Sequence, residues 1–378
     1  MENYIVSARK YRPDVFESVV GQSHITTTLK NAIRSGHLAQ AFLFCGPRGV
    51  GKTTCARILA KAINCTNPTA DMEPCNQCES CRSFNESASM NIFELDAASN
   101  NSVDDIRSLV DQVRIPPQTG RYKVYIIDEV HMLSAAAFNA FLKTLEEPQP
   151  YAKFILATTE KHKVLPTIIS RCQVFDFKRI GLNDIVEHLK FVATSEGVAY
   201  EDEALQIIAQ KAEGGLRDAL SIFDQLVNFT QGNLTYQRCI ENLNVLDREY
   251  YFKLVDFIRQ GNIGASLLLY QDIISHGFDG QHFITGLSEH LRNLLVSLDP
   301  ATLTLLDVSE DHKKQYATQA QGCGTALLLK YLDISNDFEF RLKEAANKRL
   351  FIEVALMKMA ALTNAEAILQ PQQNVRPS

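Results

Sequence analysis

One short glycine-rich segment constrains the fold of this chain more than any other. Gly46 to Thr53 reads G-P-R-G-V-G-K-T and matches the pattern G-x-x-x-x-G-K-[ST]. The apolar run Ala41–Cys45 precedes it and predicts a buried strand, whereas Lys52 to Ala62 predicts a helix. Glycines between a strand and a helix let backbone N–H groups surround a phosphate, and the helix adds its positive end. The segment therefore predicts a phosphate-binding loop, with a chance match in a glycine turn as the alternative.

A pair of acids follows a second predicted strand, Val124 to Ile127. Asp128 suits the coordination shell of Mg²⁺ together with the Thr53 hydroxyl, and Glu129 suits a base that polarises an attacking water. A lone Asp-Glu pair is usually a solvated turn, but here it ends an apolar strand in a chain with a phosphate loop. A kinase would leave Glu129 unexplained, so the pair predicts ATP hydrolysis, with Lys52 on the β and γ phosphates. The loop residues expected to bind ATP are Gly46, Pro47, Arg48, Gly49, Val50, Gly51, Lys52, Thr53 and Thr54.

Four of the nine cysteines are clustered in the sequence, and they are Cys65, Cys75, Cys78 and Cys81. Four thiolates suit tetrahedral Zn²⁺, and a closed shell of four cysteines is structural and not catalytic. A Cys-x-x-Cys redox pair, which would leave two cysteines unused, and an iron–sulfur cluster are the alternatives. A disulfide framework fits poorly, because the chain is large and begins without an evident secretory leader. The five scattered cysteines are expected to be small buried hydrophobic residues.

Alternating strands and helices in the first half predict a parallel α/β sheet. A third strand, Phe154 to Ala157, ends in Thr158 and Thr159, and Ser102 with Asp105 predicts a capped helix over 103–113. After about residue 178 the strand signals fade and the pattern is helical. Asn183 and Asp202 are the expected caps of two of these helices.

Composition excludes several classes of protein. The chain of 378 residues is 46% apolar and 22% charged, as globular proteins are, and no apolar run reaches the roughly 18 residues of a membrane span. We therefore expect a cytoplasmic protein with no membrane contact; that it is nucleoid-associated is implied only by the family resemblance described below. The net charge of −6 argues against a broad polyanion-binding surface, so any contact with DNA must be local or come from an assembly.

Together these features resemble the clamp-loader ATPases of bacterial DNA polymerase III, the gamma/tau family. The matching segments run from residue 8 to residue 219, and the helical remainder to about residue 367 matches in length and character. The cysteine insertion after the helix of the phosphate loop, combined with Ser170-Arg171-Cys172, is highly specific, whereas the phosphate loop alone is not. The other matching segments are Ala8–Pro13, Val19–Gln22, Asp128–Leu133, Lys143–Pro148 and Gly215–Ala219.

The resemblance implies three domains and a tail. They are an AAA+ base over 1–179 with a zinc module at about 64–83, a helical lid over 180–242, a helical collar for oligomerisation over 243–367, and a flexible tail or linker over 368–378.

The resemblance also implies roles for residues outside the phosphate loop. Ala8, Tyr11, Arg12 and Val20 would line the adenine pocket, and Thr158 or Thr159 would sense the γ-phosphate. Arg171 would act on the ATP of a neighbouring subunit, and Arg217 would contact its own nucleotide. From the residues alone, the corresponding alternatives are an ordinary N-terminal arm, strand-end threonines, a surface salt bridge and a solvated helix residue.

The function implied is an ATP-driven motor subunit that loads a sliding clamp onto primed DNA, without a polymerase active site in this chain. The expected cofactors are ATP, Mg²⁺ and structural Zn²⁺. The expected partners are delta and delta prime subunits, further copies of this chain, the clamp, primed-template DNA and, through a region beyond Ser378, polymerase and helicase. Another AAA+ DNA motor of the branch-migration type and a scaffold that binds nucleotide without hydrolysing it are the alternatives.

Two further features have open interpretations. Asn100-Asn101-Ser102 precedes a helix whose N–H groups could meet a DNA phosphate, and a simple helix cap is the alternative. His131 follows the acid pair and is expected to be a packed or bridging histidine and not a metal ligand.

Overall fold

The computed structural model describes residues 5–117, 120–243, 245–306, 308 and 310–369. The chain divides into two compact units, Met1–Thr235 and Tyr236–Ser378. The domain boundaries expected at residues 179, 242 and 367 remain predictions. Of the tail expected over 368–378, residues 368 and 369 end the last helix, and residues 370–378 lie outside the described residues. Within those residues, no helix combines the length and apolar content that crossing a bilayer would require.

A parallel sheet forms the centre of the first unit. In the described part of this unit, five strands lie in the order β2-β3-β4-β1-β5, which confirms the α/β fold. Every residue of β1 and β4 is buried, because helices cover both faces of the sheet. The strands are β1 (Ala41–Cys45), β2 (Ile92–Asp96), β3 (Lys123–Asp128), β4 (Ala152–Thr158) and β5 (Gln173–Asp176).

Ten α-helices surround this sheet or follow it within the described residues of the first unit. One core cluster packs α2 and α3 against one face of the sheet, and a second packs α5 and α6 against the other. The helices are α1 (Ser7–Lys10), α2 (Ser23–Ser35), α3 (Lys52–Asn64), α4 (Glu79–Asn85), α5 (Val103–Val113), α6 (Ala135–Glu146), α7 (Pro166–Ile169), α8 (Leu182–Glu196), α9 (Asp202–Lys211) and α10 (Leu216–Thr230).

The second unit is helical and has its own apolar core. Buried residues of α12, α13, α14, α16 and α17 meet there, including Tyr270, Phe283 and Tyr331. Its helices are α11 (Tyr236–Asn242), α12 (Arg248–Arg259), α13 (Ile263–Ser275), α14 (Gly280–Val296), α15 (Glu310–Cys323), α16 (Thr325–Arg341) and α17 (Lys348–Leu369).

Some sequence-based expectations for helix ends and strands were wrong. Gly181 and Glu201 precede α8 and α9, so Asn183 and Asp202 lie inside these helices and are not their caps. A short parallel pair, β6 (Ala199–Tyr200) with β7 (Asn233–Leu234), lies in the region expected to be purely helical. The capping box of Ser102 and Asp105 on α5 is confirmed.

Candidate active site and metal centre

The phosphate loop joins the buried strand β1 to the helix α3, as its motif requires. Gly46 has φ 148°, and a Cβ at this position would lie 2.5 Å from the carbonyl oxygen of Phe177. Gly51 precedes α3 with φ 100°, a conformation that other residues rarely adopt. The backbone path of the loop therefore depends on glycine at both positions.

Lys52 is the buried cation of this loop, with 6% of its surface exposed. Its Nζ donates to the carbonyl oxygens of Gly46 at 2.9 Å and Pro47 at 2.7 Å. Burial lowers the pKa of Lys52, and the carboxylates of Glu129 and Asp128 oppose that shift. The ammonium group is thus held beside the loop by carbonyl groups that a phosphate could replace.

Thr53 and Asp128 come together from α3 and the end of β3. The Thr53 hydroxyl donates to Asp128 Oδ2 at 2.6 Å. Adjacent oxygen ligands of an octahedral Mg²⁺ lie about 2.9 Å apart, and Mg²⁺ prefers oxygen donors. The pair therefore fits two neighbouring positions in a magnesium shell.

Glu129 occupies a left-handed backbone conformation, with φ 48°, directly after β3. Its Oε2 accepts the Thr159 hydroxyl at 3.0 Å and the Thr159 backbone N–H at 3.2 Å. Non-glycine residues in this conformation are uncommon and often occur at functional sites. The turn thus places the Glu129 carboxylate beside the end of β4.

His131 bridges the acids at this edge of the sheet, within a 3-10 turn over Val130–Met132. Its Nδ1 lies 3.0 Å from the Thr158 hydroxyl, and its Nε2 lies 3.1 Å from the carboxylate of Glu160. The expectation of a bridging histidine is confirmed by these contacts. Both strand-end threonines, Thr158 and Thr159, therefore have partners in one polar network around Glu129.

The N-terminal arm brings three of the four expected adenine-pocket residues near the loop or the following helices. Arg12 Nε donates to the Thr54 hydroxyl at 3.3 Å, and the Tyr11 hydroxyl donates to Glu196 at 2.6 Å. Ala8 lies half-buried in α1, whose Ser7 bonds to Asp224 of α10.

The fourth expected pocket residue, Val20, is half-buried and follows Val19, which lies 3.9 Å from the position of a Cβ on Gly51. Arg12 also has charged neighbours of both signs. Desolvation lowers the pKa of Arg12, and repulsion from Arg57 and Arg217 adds to this shift, whereas Glu94 and Asp128 oppose it.

Gln22 is a positioning residue within a segment that matches the clamp-loader family, but the sequence alone did not indicate its structural role. It is fully buried, and its Nε2 donates to the carbonyl oxygens of Lys178 at 2.7 Å and Val50 at 3.4 Å. The side chain thereby connects the start of α2 with the phosphate loop and with the segment after β5. A buried glutamine near a glycine loop carries no sequence signature of its own.

Arg217 lies in the first turn of α10. Its side chain is exposed, and its backbone makes the contact with the phosphate loop. The Arg217 N–H donates to the carbonyl oxygen of Gly49 at 3.3 Å. A Cβ on Gly49 would lie 3.3 Å from Gly215 Cα and 3.5 Å from Arg217 Cβ. The lid helix thus begins directly against the phosphate loop.

Arg171 lies near the amino-terminal ends of the parallel strands, whereas the phosphate loop lies at their carboxyl ends. Gln173 pairs with Phe42 near the start of β1, whereas the phosphate loop begins after Cys45 at its end. At about 3.3 Å per residue, this places Arg171 roughly 15–20 Å from the loop along the strands. Its side chain, 34% exposed, pairs with Glu146 at 2.8 Å. The structure does not bring Arg171 to the phosphate loop of its own chain.

The four clustered cysteines converge in space, with all their Sγ atoms within 4.8 Å of one another. Tetrahedral Zn²⁺ with Zn–S bonds of about 2.3 Å separates its sulfurs by about 3.8 Å, close to the 4.0 Å between Cys65 and Cys78. Backbone N–H groups of Cys75 and Cys78 donate to neighbouring Sγ atoms at 3.4 and 3.2 Å. The donor set therefore fits a metal held by four thiolates and leaves no cysteine of the cluster unused.

Asn100, Asn101 and Ser102 precede α5. The Ser102 hydroxyl accepts the Asp105 N–H at 3.2 Å, and Asp105 accepts the Ser102 N–H at 3.2 Å. These contacts form a helix cap, and the carboxylate of Asp105 already occupies part of the helix terminus. The contact with DNA phosphate remains a prediction.

The parallel sheet, the phosphate loop with its acid pair and the helical lid define a P-loop protein of the AAA+ class. Three family models match the chain in succession. "DNA polymerase III, delta subunit" matches residues 21–181, "DNA polymerase III clamp loader subunit, ATPase lid domain" matches 184–232, and "DNA polymerase III subunits gamma and tau domain III" matches 237–376.

Curated relatives match most of the chain. DNA polymerase III subunit tau of Bacillus subtilis is 39% identical over 98% of this chain and 66% of its own length. Subunit tau of Escherichia coli is 42% identical over 80% and 47%, and subunit gamma of Buchnera aphidicola is 34% identical over 94% and 99%. The chain belongs to the gamma/tau family of DNA polymerase III clamp-loader subunits. It spans about two thirds of the Bacillus relative and about half of the Escherichia one.

A solved structure of the Thermotoga maritima RuvB Holliday junction branch migration motor also matches the chain. It is 19% identical with a TM-score of 0.47, covering 66% of this chain and 79% of that one. Membership of the gamma/tau family favours the clamp-loader prediction over the branch-migration alternative.

Proposed function

We propose that this chain hydrolyses ATP to drive the loading of a sliding clamp onto primed DNA. The observation that carries the proposal is the convergence of Lys52, Thr53, Asp128 and Glu129 at the carboxyl ends of β1 and β3. The reaction is ATP + H₂O to ADP + phosphate. Because its product is a conformational state of an assembly, turnover should depend on the partners.

The proposed roles follow from the contacts of these side chains. The loop N–H groups hold the phosphates, and Lys52 exchanges its carbonyl partners for the β and γ phosphates. Thr53 and Asp128 hold Mg²⁺, which neutralises developing negative charge when it is bound. Glu129 polarises the attacking water, and Thr159 orients its carboxylate. Either Thr158 or Thr159 senses the γ-phosphate.

Arg171 completes the site of a neighbouring subunit in this proposal. It lies near the amino-terminal ends of the strands, and its ion pair with Glu146 is exposed, so its side chain is available to a second chain. A guanidinium spreads positive charge over the transferring phosphoryl oxygens, an effect on the order of 10³–10⁵ in rate.

The remaining parts of the chain support this reaction. Ala8, Tyr11, Arg12 and Val20 form the adenine pocket, and Arg217 reports the nucleotide state to the lid. The four cysteines hold one structural Zn²⁺. The proposed organisation is a base over 1–179, a lid over 180–242 and a collar over 243–367. The proposed setting is a cytoplasmic ring with delta, delta prime and further copies of this chain, which binds the clamp and primed-template DNA.

Reconstituted complexes test the proposal. ATP hydrolysis by this chain with delta and delta prime should rise when clamp and primed-template DNA are added together. Hydrolysis that is indifferent to both would contradict clamp loading and favour an unrelated motor. Nucleotide binding without hydrolysis under any of these conditions would favour a scaffold.

A further inference from the structure

The loop between the first two candidate zinc ligands reaches the N-terminal arm. Glu73, two residues before Cys75, accepts the backbone N–H of Phe16 at 2.6 Å through Oε2. Its other oxygen, Oε1, accepts the N–H of Glu17 at 3.0 Å. One side chain of the cysteine module (residues 65–81) thus binds two successive peptide groups of the N-terminal arm (residues 5–20).

Glu73 is buried, with 7% of its surface exposed, and its burial depends on these contacts. Its third partner is Lys30 of α2, whose Nζ lies 2.5 Å from Oε1. A buried carboxylate is costly unless charge and hydrogen bonds compensate for lost water. The two arm N–H groups and Lys30 together supply that compensation, so the arm, α2 and the module are mutually dependent.

A second contact joins the module to the same arm. Asn76, between Cys75 and Cys78, donates through Nδ2 to Asp14 at 3.0 Å. The other atom of its amide, Oδ1, accepts from Lys61, a buried residue of α3. The module is therefore connected both to the arm and to the helix of the phosphate loop.

The residues bound by the module lie between two parts of the proposed adenine pocket. Arg12 and Val20 flank the segment that Glu73 and Asn76 hold. Phe16 fixes the middle of this segment in the core with 1% of its surface exposed. A shift of residues 14–17 would move pocket residues on both sides.

We infer that the cysteine module positions the arm that contacts the nucleotide base, with Glu73 as the positioning residue. This inference rests on the proposed function, because it assumes that the arm lines the adenine pocket. The polar loop before Cys75 has little core of its own, so thiolate–metal bonds at its two ends would keep Glu73 in place. The metal would then influence ATP affinity without contacting ATP.

The direct test is Glu73→Gln in the full chain within its complex. The amide keeps one oxygen acceptor but loses the negative charge that pairs with Lys30 and one of the two oxygens that accept the arm N–H groups. The Kd for ATP should therefore rise roughly tenfold. The preference for ATP over GTP should fall, because the arm lines the base in the proposed pocket, whereas kcat and zinc content should be retained. The matched control is Asp71→Asn in the same loop, since Asp71 is 81% exposed and 3.8 Å from Arg34; its Kd should be unchanged.

A measurement without substitution covers the case in which Glu73→Gln fails to fold. Backbone hydrogen exchange of residues 14–20 should quicken when the wild-type complex is treated with a zinc chelator, while exchange in α6 stays the same. Wild-type affinity and base preference in Glu73→Gln, or unchanged exchange after metal removal, would overturn the inference. A uniform loss of ATP and GTP binding would also overturn it. Failure of the proposed function looks different, because wild-type complexes would then bind ATP without hydrolysing it, or hydrolyse it without a response to clamp and primed-template DNA.

Discussion

Glu129 and Thr159 are joined by two hydrogen bonds to a single carboxylate oxygen, 3.0 Å from the hydroxyl and 3.2 Å from the backbone N–H. Both donors bond to Oε2, so Oε1 remains available to a water molecule. His131 Nδ1 lies 3.4 Å from the same Oε2 and helps to limit its movement. The arrangement orients one oxygen of the proposed base and leaves the other for chemistry.

Substitution of Glu129 by glutamine should separate binding from turnover. Glu129→Gln keeps the size of the side chain but removes the base, so kcat should fall by about 10²-fold or more. The Kd for ATP should change by less than about threefold, because Lys52, Thr53 and the loop are intact. Single-turnover hydrolysis and equilibrium binding measure the two quantities.

The exposed acid Glu203, in the first turn of α9, provides the matched control for Glu129. Glu203→Gln should leave both kcat and Kd unchanged. Loss of ATP binding in Glu129→Gln would contradict the role of Glu129, because the residue would then be needed to build the site and not only to run the reaction.

Arg171→Ala should retain ATP affinity and lose hydrolysis in the assembled complex. The expected fall is on the order of 10³-fold, since the guanidinium stabilises charge only in the transition state. Arg114→Ala is the control, because Arg114 is also an exposed arginine in an ion pair, 3.3 Å from Asp111. Steady-state hydrolysis and nucleotide binding are compared for both variants.

Mixed assemblies distinguish action on a neighbour from action within one chain. Chains with Lys52→Ala cannot hydrolyse ATP but still offer Arg171, whereas Arg171→Ala chains keep an intact loop. A mixture should therefore recover part of the activity that each variant lacks alone. If mixing restores nothing while assembly is unchanged, Arg171 does not act across a subunit boundary.

How well each strand of this fold could be predicted from the sequence depends on how deeply the strand is buried. Strands β1, β3 and β4 were predicted because they are covered on both faces and form continuous apolar runs. The outer strands β2 and β5 were missed, because exposed positions such as Glu94 and Asp176 interrupt their apolar pattern. Helix α15 lies in the region that was predicted to be helical as a whole, but its own bounds were not predicted, since its sequence is mostly polar.

Within the candidate site, sequence reasoning found the residues of local motifs and missed long-range partners. The phosphate loop, the acid pair and the four cysteines are recognisable because their spacing along the chain reflects the chemistry. Gln22 with Val50 and Glu73 with Phe16 join segments 28 and 57 residues apart. Such pairs depend on how the folded elements approach one another, and no periodicity or spacing records that.

Metal analysis should find one zinc per chain. Cys78→Ser removes one of four thiolates and should lower the zinc content well below this value and destabilise residues 65–81. Inductively coupled plasma mass spectrometry measures the metal, and visible absorbance reports an iron–sulfur cluster. Cys323→Ser, in the second unit and outside the cluster, should keep full zinc. Finding no zinc in wild-type protein, or iron in its place, would contradict the assignment.

The stability of the second unit should fall between pH 6.5 and pH 4 because of His290. This residue of α14 is 2% exposed, and burial lowers its pKa to about 4, while its bond to Gln319 opposes the shift. In the unfolded chain the imidazole takes up a proton below about pH 6.5, whereas in the folded chain it does so only near pH 4. The free energy of unfolding therefore falls by about 3 kcal/mol between pH 6.5 and pH 4, and His290 does not change it above pH 6.5.

Hydrogen exchange of the α14 amides, corrected for intrinsic rates, measures this loss. His290→Phe should flatten the pH dependence of this exchange, because phenylalanine takes up no proton. A phenyl ring suits the site, where the rings of Phe252 and Tyr316 lie 4.6 and 5.0 Å from the imidazole. The exposed His276 provides the control, and His276→Gln should behave as wild type. If His290→Phe keeps the wild-type slope, protonation of a different group causes the acid sensitivity of this unit.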